Sequence, residues 1–93
     1  MSLLFEWDAA KDRANYQKHR ITFAESRTIF NDPFLLTFPD EAHSQNEERF
    51  ISFGATTDGQ VLVVVHTERG QKIRLISSRM ATNVERRVYE EER

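Results

Sequence analysis

Residues 49–78 read RFISFGATTDGQVLVVVHTERGQKIRLISS, and this stretch decides the fold. Three β-rich runs, Arg49 to Thr56, Gln60 to Thr67 and Gln71 to Ser78, are separated by two short polar joints. Asp58-Gly59 is the dipeptide favoured by a two-residue type I′ hairpin, whose central residues both need positive φ, and Arg69-Gly70 serves a second tight turn. The three runs therefore read as an antiparallel meander. With Thr57 opposite Gln60, Ser52 faces Val65, Phe53 faces Val64 and Ile51 faces His66. With Glu68 opposite Gln71, Val65 meets Arg74 and Val64 meets Leu75. One side of the meander then carries Ile51, Phe53, Leu62, Val64, Ile73 and Leu75, a surface for helices to cover. The other carries Phe50, Ser52, Val63, Val65, Thr67, Lys72, Arg74, Ile76 and Ser78, a mixed face with two cations. A slip of one residue at the Arg69-Gly70 turn would move Arg74 to the buried side.

Outward from the meander, Phe5-Glu6-Trp7 suits a short strand and Asp8 is a good N-cap for a helix running to about His19. Thr22 and Glu25 match the capping box of a second helix with Phe23, Ile29 and Phe30 on its apolar side, and Asp32-Pro33 ends it. After Phe34 to Phe38 comes an acidic loop, Pro39 to Glu48. Thr82 and Glu85 repeat the capping-box pattern ahead of a last helix with Val84 and Val88 on one side. The order β-α-α-β-β-β-β-α predicts an α+β fold, two N-terminal helices packed on an antiparallel β-meander with a C-terminal helix. At 93 residues, a second core would leave each half too small to offset chain entropy, so residues 1–93 are read as a single domain.

Composition removes several functions. Without cysteine there is no disulfide scaffold, thiolate metal site or cysteine nucleophile, and a reducing, cytoplasmic setting fits. The longest apolar run, Val61 to Val65, falls far short of the roughly 20 residues of a membrane span, and no secretory signal opens the chain. The three glycines fall mostly at turns, leaving no phosphate-cradling loop and no expected cofactor. His19, His43 and His66 are too widely spaced to read as metal ligands, and none is expected. Charge, however, is segregated. Residues 31–48 hold five acids and no Lys or Arg, whereas residues 69–87 hold six bases against Glu85 alone, so a protein of net charge −2 can still present a basic face.

The remaining His, Lys, Arg, Glu and Tyr side chains on a small sheet suit cleavage of RNA without a metal. A base must take the ribose 2′-hydroxyl proton, cationic donors must meet the charge growing on phosphorus, and an acid must protonate the leaving oxygen. His19 and His66 are candidates for proton transfer. Arg74 and Arg79 are candidates for the phosphate, because guanidinium offers it a planar fork. Tyr89 offers a ring for base stacking. Each also has a structural reading: His19 as a cation favoured at a helix C-terminus, His66 as a strand residue capped by a neighbour, Arg79 as a partner for Glu85 or Glu90.

The segments Phe5-Glu6-Trp7-Asp8-x-x-Lys11, Asn15, Lys18-His19 and Phe23-x-Glu25 resemble the opening of the BrnT family, ribonuclease toxins of type II toxin-antitoxin modules. The resemblance continues through Asp32-Pro33, His43-Ser44, Glu48-Arg49-Phe50, residues 65–70, Arg74-x-Ile76-Ser77, Arg79-x-Ala81-Thr82 and Glu85-Arg86-Arg87-x-Tyr89-Glu90. Arg20 departs from the family's usual glycine, which ends the first helix in a left-handed conformation. The resemblance implies a RelE-like fold, endoribonuclease activity that inhibits translation, and neutralisation by a BrnA-like antitoxin. It implies contact with operator DNA only through that antitoxin, and a toxin-antitoxin heterotetramer. For such an activity we assign Arg74 and Arg79 to the transition-state phosphate, His66 or His19 to proton transfer, and Lys11, Lys18, Arg69 and Lys72 to the RNA backbone, as working hypotheses. The competing expectation is a non-catalytic module, a partner-dependent repressor subunit whose basic face binds another macromolecule without cleaving it.

Overall fold

A computed structural model describes residues 3–92; Met1, Ser2 and Arg93 of the expected single domain lie outside the described residues. Five strands, β1 (Leu4–Glu6), β2 (Leu36–Pro39), β3 (Arg49–Ala55), β4 (Val61–Arg69) and β5 (Lys72–Met80), form one sheet in the order β1-β5-β4-β3-β2. The meander is antiparallel as expected, but β1 pairs parallel to β5 at its outer edge, so the sheet is mixed.

Helix α1 (Ala9–His19) begins at Asp8, whose Oδ1 accepts from the Lys11 N–H at 3.0 Å. It ends at Arg20, which takes the left-handed conformation (φ 60°) that glycine would adopt more readily. The second expected helix is a single α-turn, α2 (Phe23–Ser26), held by the Thr22/Glu25 capping box and continued as a 3-10 turn, Arg27–Asn31. Helix α3 (Asn83–Glu91) starts from the Thr82/Glu85 capping box.

Both turns depart from the expected register, the first by one residue and the second by two. The first hairpin closes as a three-residue loop, Thr57-Asp58-Gly59, with the Thr56 N–H donating to the Gln60 carbonyl and Gly59 at φ 85°. Ser52 therefore faces Val64 rather than Val65, and Ile51 faces Val65 rather than His66. Because strand side chains alternate, this one-residue change puts Phe50, Ser52 and Gly54 on the helix-covered side and turns Ile51 and Phe53 outward. The second hairpin turns through Gly70-Gln71, with Arg69 opposite Lys72. That is a displacement of two residues, which preserves the faces: Thr67 pairs Arg74, and Arg74 stays on the uncovered side. A register shift between Val65 and His66 then brings Ser78, expected outward, opposite Val64 and into the core.

The core comprises Ile21, Phe23, Ile29, Leu62, Val64 and Leu75, with Phe5, Trp7, Phe30, Leu35 and Ile73 packed around it. Helix α1 contributes little apolar surface, since its one buried residue is Asn15. Asn15 Oδ1 accepts from the Ser78 N–H, and its Nδ2 donates to the Ile21 carbonyl, both at 3.0 Å. The amide thus satisfies the edge of β5 beyond the point where β1 stops pairing.

Candidate nucleic-acid interface and active site

The uncovered face of the sheet is organised in lateral rows. Arg49, Thr67, Arg74 and Glu6 lie side by side across β3, β4, β5 and β1. The adjoining row places Arg69 beside Lys72. With strands about 4.8 Å apart, the Arg49 and Arg74 backbones are separated by only about 10 Å. Four cations thus share one end of this face. Carboxylates hold two of them: Arg74 donates to Glu6 at 2.8 Å, and Arg69 lies 3.6 Å from Glu47. Next to the cations, Phe38, Ile51 and Val65 occupy one further row. Phe38 is 42% exposed and meets Phe53 edge-on, with ring centroids 5.5 Å apart.

Arg79 is remote from this cluster, five residues beyond Arg74 on β5, or about 16 Å at strand rise. Its guanidinium grips Glu85 with two hydrogen bonds of 2.7 and 2.8 Å, fastening the start of α3 to the sheet. The hydrogen bonds from Arg79 hold the Glu85 carboxyl down at about 2, and Glu85 in turn raises Arg79. Arg74 and Arg79 therefore do not meet on one phosphate; Arg49 is Arg74's nearer neighbour.

Lys11, Lys18 and His19 come together along α1, lining a shallow cavity of about 330 Å³ with Asn15, Ile76 and Ser77. Asp8, whose carboxyl is lowered first by the backbone N–H groups of Lys11 and Ala10, also feels the charges of Arg74 and Lys11. The α1 groove thus begins within electrostatic reach of the sheet cluster. A second cavity, about 520 Å³, lies beneath the β2–β3 loop and is lined by His43, Gln45, Asn46, Glu47, Arg49 and Arg69. Among the described residues no three His, Asp or Glu side chains gather as metal ligands would.

Two expected site residues are turned inward. His66 is 5% exposed and lies on the helix-covered side, its ring against Phe30 and Phe50 at centroid distances of 4.9 and 5.8 Å. Its Nε2 pairs with the Ser52 hydroxyl at 2.7 Å, and burial pushes the imidazole down to about 4. The sheet separates it from Arg74, so it cannot exchange a proton with a substrate on the basic face. Tyr89 is 3% exposed and its hydroxyl donates to Asp32, leaving no ring face open to a base. Phe38 is the exposed aromatic beside the cations.

The sequence model of the family described as "Ribonuclease toxin, BrnT, of type II toxin-antitoxin system" matches residues 7–85. The chain belongs to this family. Among solved structures, the crystal structure of the Brucella abortus ribonuclease toxin BrnT is similar, with a TM-score of 0.69 and 22% sequence identity. The match covers 88% of this chain and 100% of that one, and it speaks for a shared α+β fold. No curated protein sequence matches. Membership in a type II toxin family implies an antitoxin partner for this BrnT chain. No helix among its described residues is long and apolar enough to cross a membrane.

Three residues not expected at the candidate site shape it or support it. Arg49 shares a row with Arg74 only in a three-residue hairpin register, which the Thr-Asp-Gly spelling allows. Glu6 is placed by the parallel β1–β5 pairing, which no local pattern signals. Asp32 does more than end the helical segment before Pro33. In the structure it accepts from the Phe34 and Ala55 N–H groups and from the Tyr89 hydroxyl, tying the last helix to β3.

Proposed function

We propose that this chain is a metal-independent endoribonuclease toxin with a RelE-like fold that acts in the cytoplasm and inhibits translation. The observation that carries this reading is the grouping of Arg49, Arg69, Lys72 and Arg74 at one end of an otherwise apolar sheet face, beside the exposed ring of Phe38. Single-stranded RNA binds through its backbone charge and by stacking bases on aromatic planes, and this face offers both. Arg74 and Arg49 meet the phosphate at which charge develops. Arg69 and Lys72 hold the neighbouring backbone, and Lys11 and Lys18 extend the track along α1. Proton transfer falls to an imidazole that solvent reaches, which leaves out His66. Arg79 acts through α3, whose position it fixes.

A BrnA-like antitoxin neutralises the toxin by covering this face, where the cationic cluster adjoins apolar side chains. Operator DNA is contacted through the antitoxin, in a heterotetramer of the two proteins.

The test is to incubate antitoxin-free protein with RNA in EDTA and to map the new ends. Internal cleavage leaving 2′,3′-cyclic phosphates is expected. Arg74→Ala and Arg49→Ala should each lower the cleavage rate by about 10²- to 10³-fold, the loss typical of removing one preorganised donor, with the melting temperature nearly unchanged. Tight RNA binding without any cleavage would instead support the non-catalytic module.

A further inference from the structure

Between β2 and β3 the chain makes an excursion that is laced shut at its base. The Asp40 N–H donates to the Arg49 carbonyl at 2.8 Å, and the Arg49 N–H donates to Ser44 Oγ at 2.9 Å. The Ser44 hydroxyl in turn donates to the Asp40 carbonyl at 2.6 Å. Within this frame a short 3-10 turn, Glu41–His43, sets His43 Nδ1 at 3.1 and 3.2 Å from the two carboxylate oxygens of Asp40. The side chain of Asp40 is only 12% exposed, whereas that of His43 is 68% exposed.

The chemistry of the pair fixes its tautomer. An ionised carboxylate can only accept, so the hydrogen between the two groups sits on Nδ1. In the neutral ring the lone pair then lies on Nε2, the nitrogen facing away from Asp40. A carboxylate behind an imidazole is the arrangement that orients a general base and stabilises the imidazolium it becomes. As a stability device a pair with one partner in solvent contributes little. Its surroundings suit a phosphodiester, since His43 lines the same cavity as Arg49 and Arg69, and Arg49 belongs to the lateral row that reaches Arg74.

We infer that His43, oriented by Asp40, is the general base for RNA cleavage, an assignment that rests on the ribonuclease reading above. Nε2 takes the proton of a ribose 2′-hydroxyl, and the 2′-oxygen forms its bond to phosphorus. The bond from phosphorus to the 5′-oxygen breaks, the electron pair leaves on that oxygen, and a water molecule protonates it. The imidazolium neutralises the hydroxide left behind. The products are a 2′,3′-cyclic phosphate and a 5′-hydroxyl. Arg49 and Arg74 meet the phosphoryl oxygens, and Arg69 holds the neighbouring backbone. Ser44 is a positioning residue, since it closes the loop that carries His43.

The experiment compares the wild type with His43→Gln and Asp40→Asn on a single-stranded RNA oligonucleotide in EDTA, across a pH series and under single-turnover conditions. Binding is measured separately with the 2′-deoxy oligonucleotide, which cannot react. His43→Gln should lower the rate by at least about 100-fold, the lower range for a positioned proton-transfer group, without weakening binding. The acidic limb of its pH–rate profile should disappear, although Asp40, Glu47, Arg49 and Arg69 still surround the site. Asp40→Asn should lower the rate with binding unchanged, because an amide no longer dictates the tautomer. Free imidazole should restore cleavage to His43→Gly, which separates lost chemistry from lost folding. Full cleavage by His43→Gln, or equal loss of binding and cleavage, overturns the assignment and leaves the ribonuclease reading standing. A wild-type protein that binds the oligonucleotide and never cuts RNA overturns that reading itself.

Discussion

Lowering the pH from 7.5 to 4.5 should destabilise this protein through one buried ring. His66 sits between Phe30 and Phe50 and is held down to about 4, against 6.5 for an unhindered imidazole. Its Nδ1 is buried without a hydrogen-bond partner, so a proton there would be a charge with nothing to receive it. The folded state therefore keeps the ring neutral while the unfolded chain protonates it. The unfolded state binds the extra proton throughout the interval from about 6.5 to about 4. Stability from this group is thus fully present above that interval and declines as pH falls through it. A difference of about 2.5 units at 1.36 kcal/mol each bounds the loss at about 3 kcal/mol, most of it already realised at pH 4.5. Glu85, held at about 2 against 4.5 in the unfolded chain, also begins to cost stability toward pH 4.5, but equally in both proteins, so it cancels in the comparison. The assay is urea unfolding of the wild type and His66→Gln at both pH values, since Gln can still bond Ser52 but cannot titrate. The wild type should lose about 2–3 kcal/mol more than the variant on acidification. Equal losses in the two proteins would refute the buried, neutral imidazole.

Two further expectations concern packing. In Gly54→Ala the new Cβ would stand 2.9 Å from Ile29 Cβ and from Leu35 Cδ1, with the Ile29 carbonyl oxygen at 3.3 Å, and overpacking of this kind costs about 1–3 kcal/mol. A urea midpoint matching the wild type would mean that the 3-10 turn yields freely. Asn15→Ala strips the partners from the buried Ser78 N–H and the Ile21 carbonyl; at about 1–3 kcal/mol per orphaned group, the melting temperature should fall by several degrees. Asn15→Asp, which keeps the acceptor for Ser78 and loses the donor to Ile21, should fall in between.

Much of the architecture was legible because it is written locally. The capping boxes at Thr22 and Thr82, the Asp8 cap and the three β-rich runs all appear where their residue types place them. What escaped depends on single-residue register or on distant pairing. Asp58-Gly59 reads as a two-residue turn, yet it closes a three-residue loop once Thr57 joins it, and that step turned β3 over. The consequences reach the site directly, since Arg49 joins the basic row while Phe50 and Ser52 close over His66. Val61 to Val64 are all buried, so β4 is covered on both sides at this end. His66 continues that strand, and nothing in its own letter says which side it takes. His43 is hidden for the opposite reason: in a loop with Asp40, Glu41, Glu47 and Glu48, its letter reads as part of a solvated acidic segment.

The acids also explain how a chain of net charge −2 can suit an anionic substrate. Glu6, Glu47 and Glu85 are far from Arg74, Arg69 and Arg79 in sequence or on another element, and each reaches one of them across the fold. At half-exposed sites such pairs contribute little to stability. Their effect is conformational, because a guanidinium already held near its working position loses less side-chain freedom when a ligand arrives. Glu85 is the exception, since its bidentate grip and capping role make it structural. Glu6 and Glu47 hold their arginines by a single 2.8 Å contact and a loose 3.6 Å contact, respectively, which a phosphate oxygen can replace at the same nitrogen. On the proposed reading, RNA binding on this face is an exchange of carboxylate for phosphate. Removing Glu6 frees Arg74 from its competitor but also from the contact that aims it.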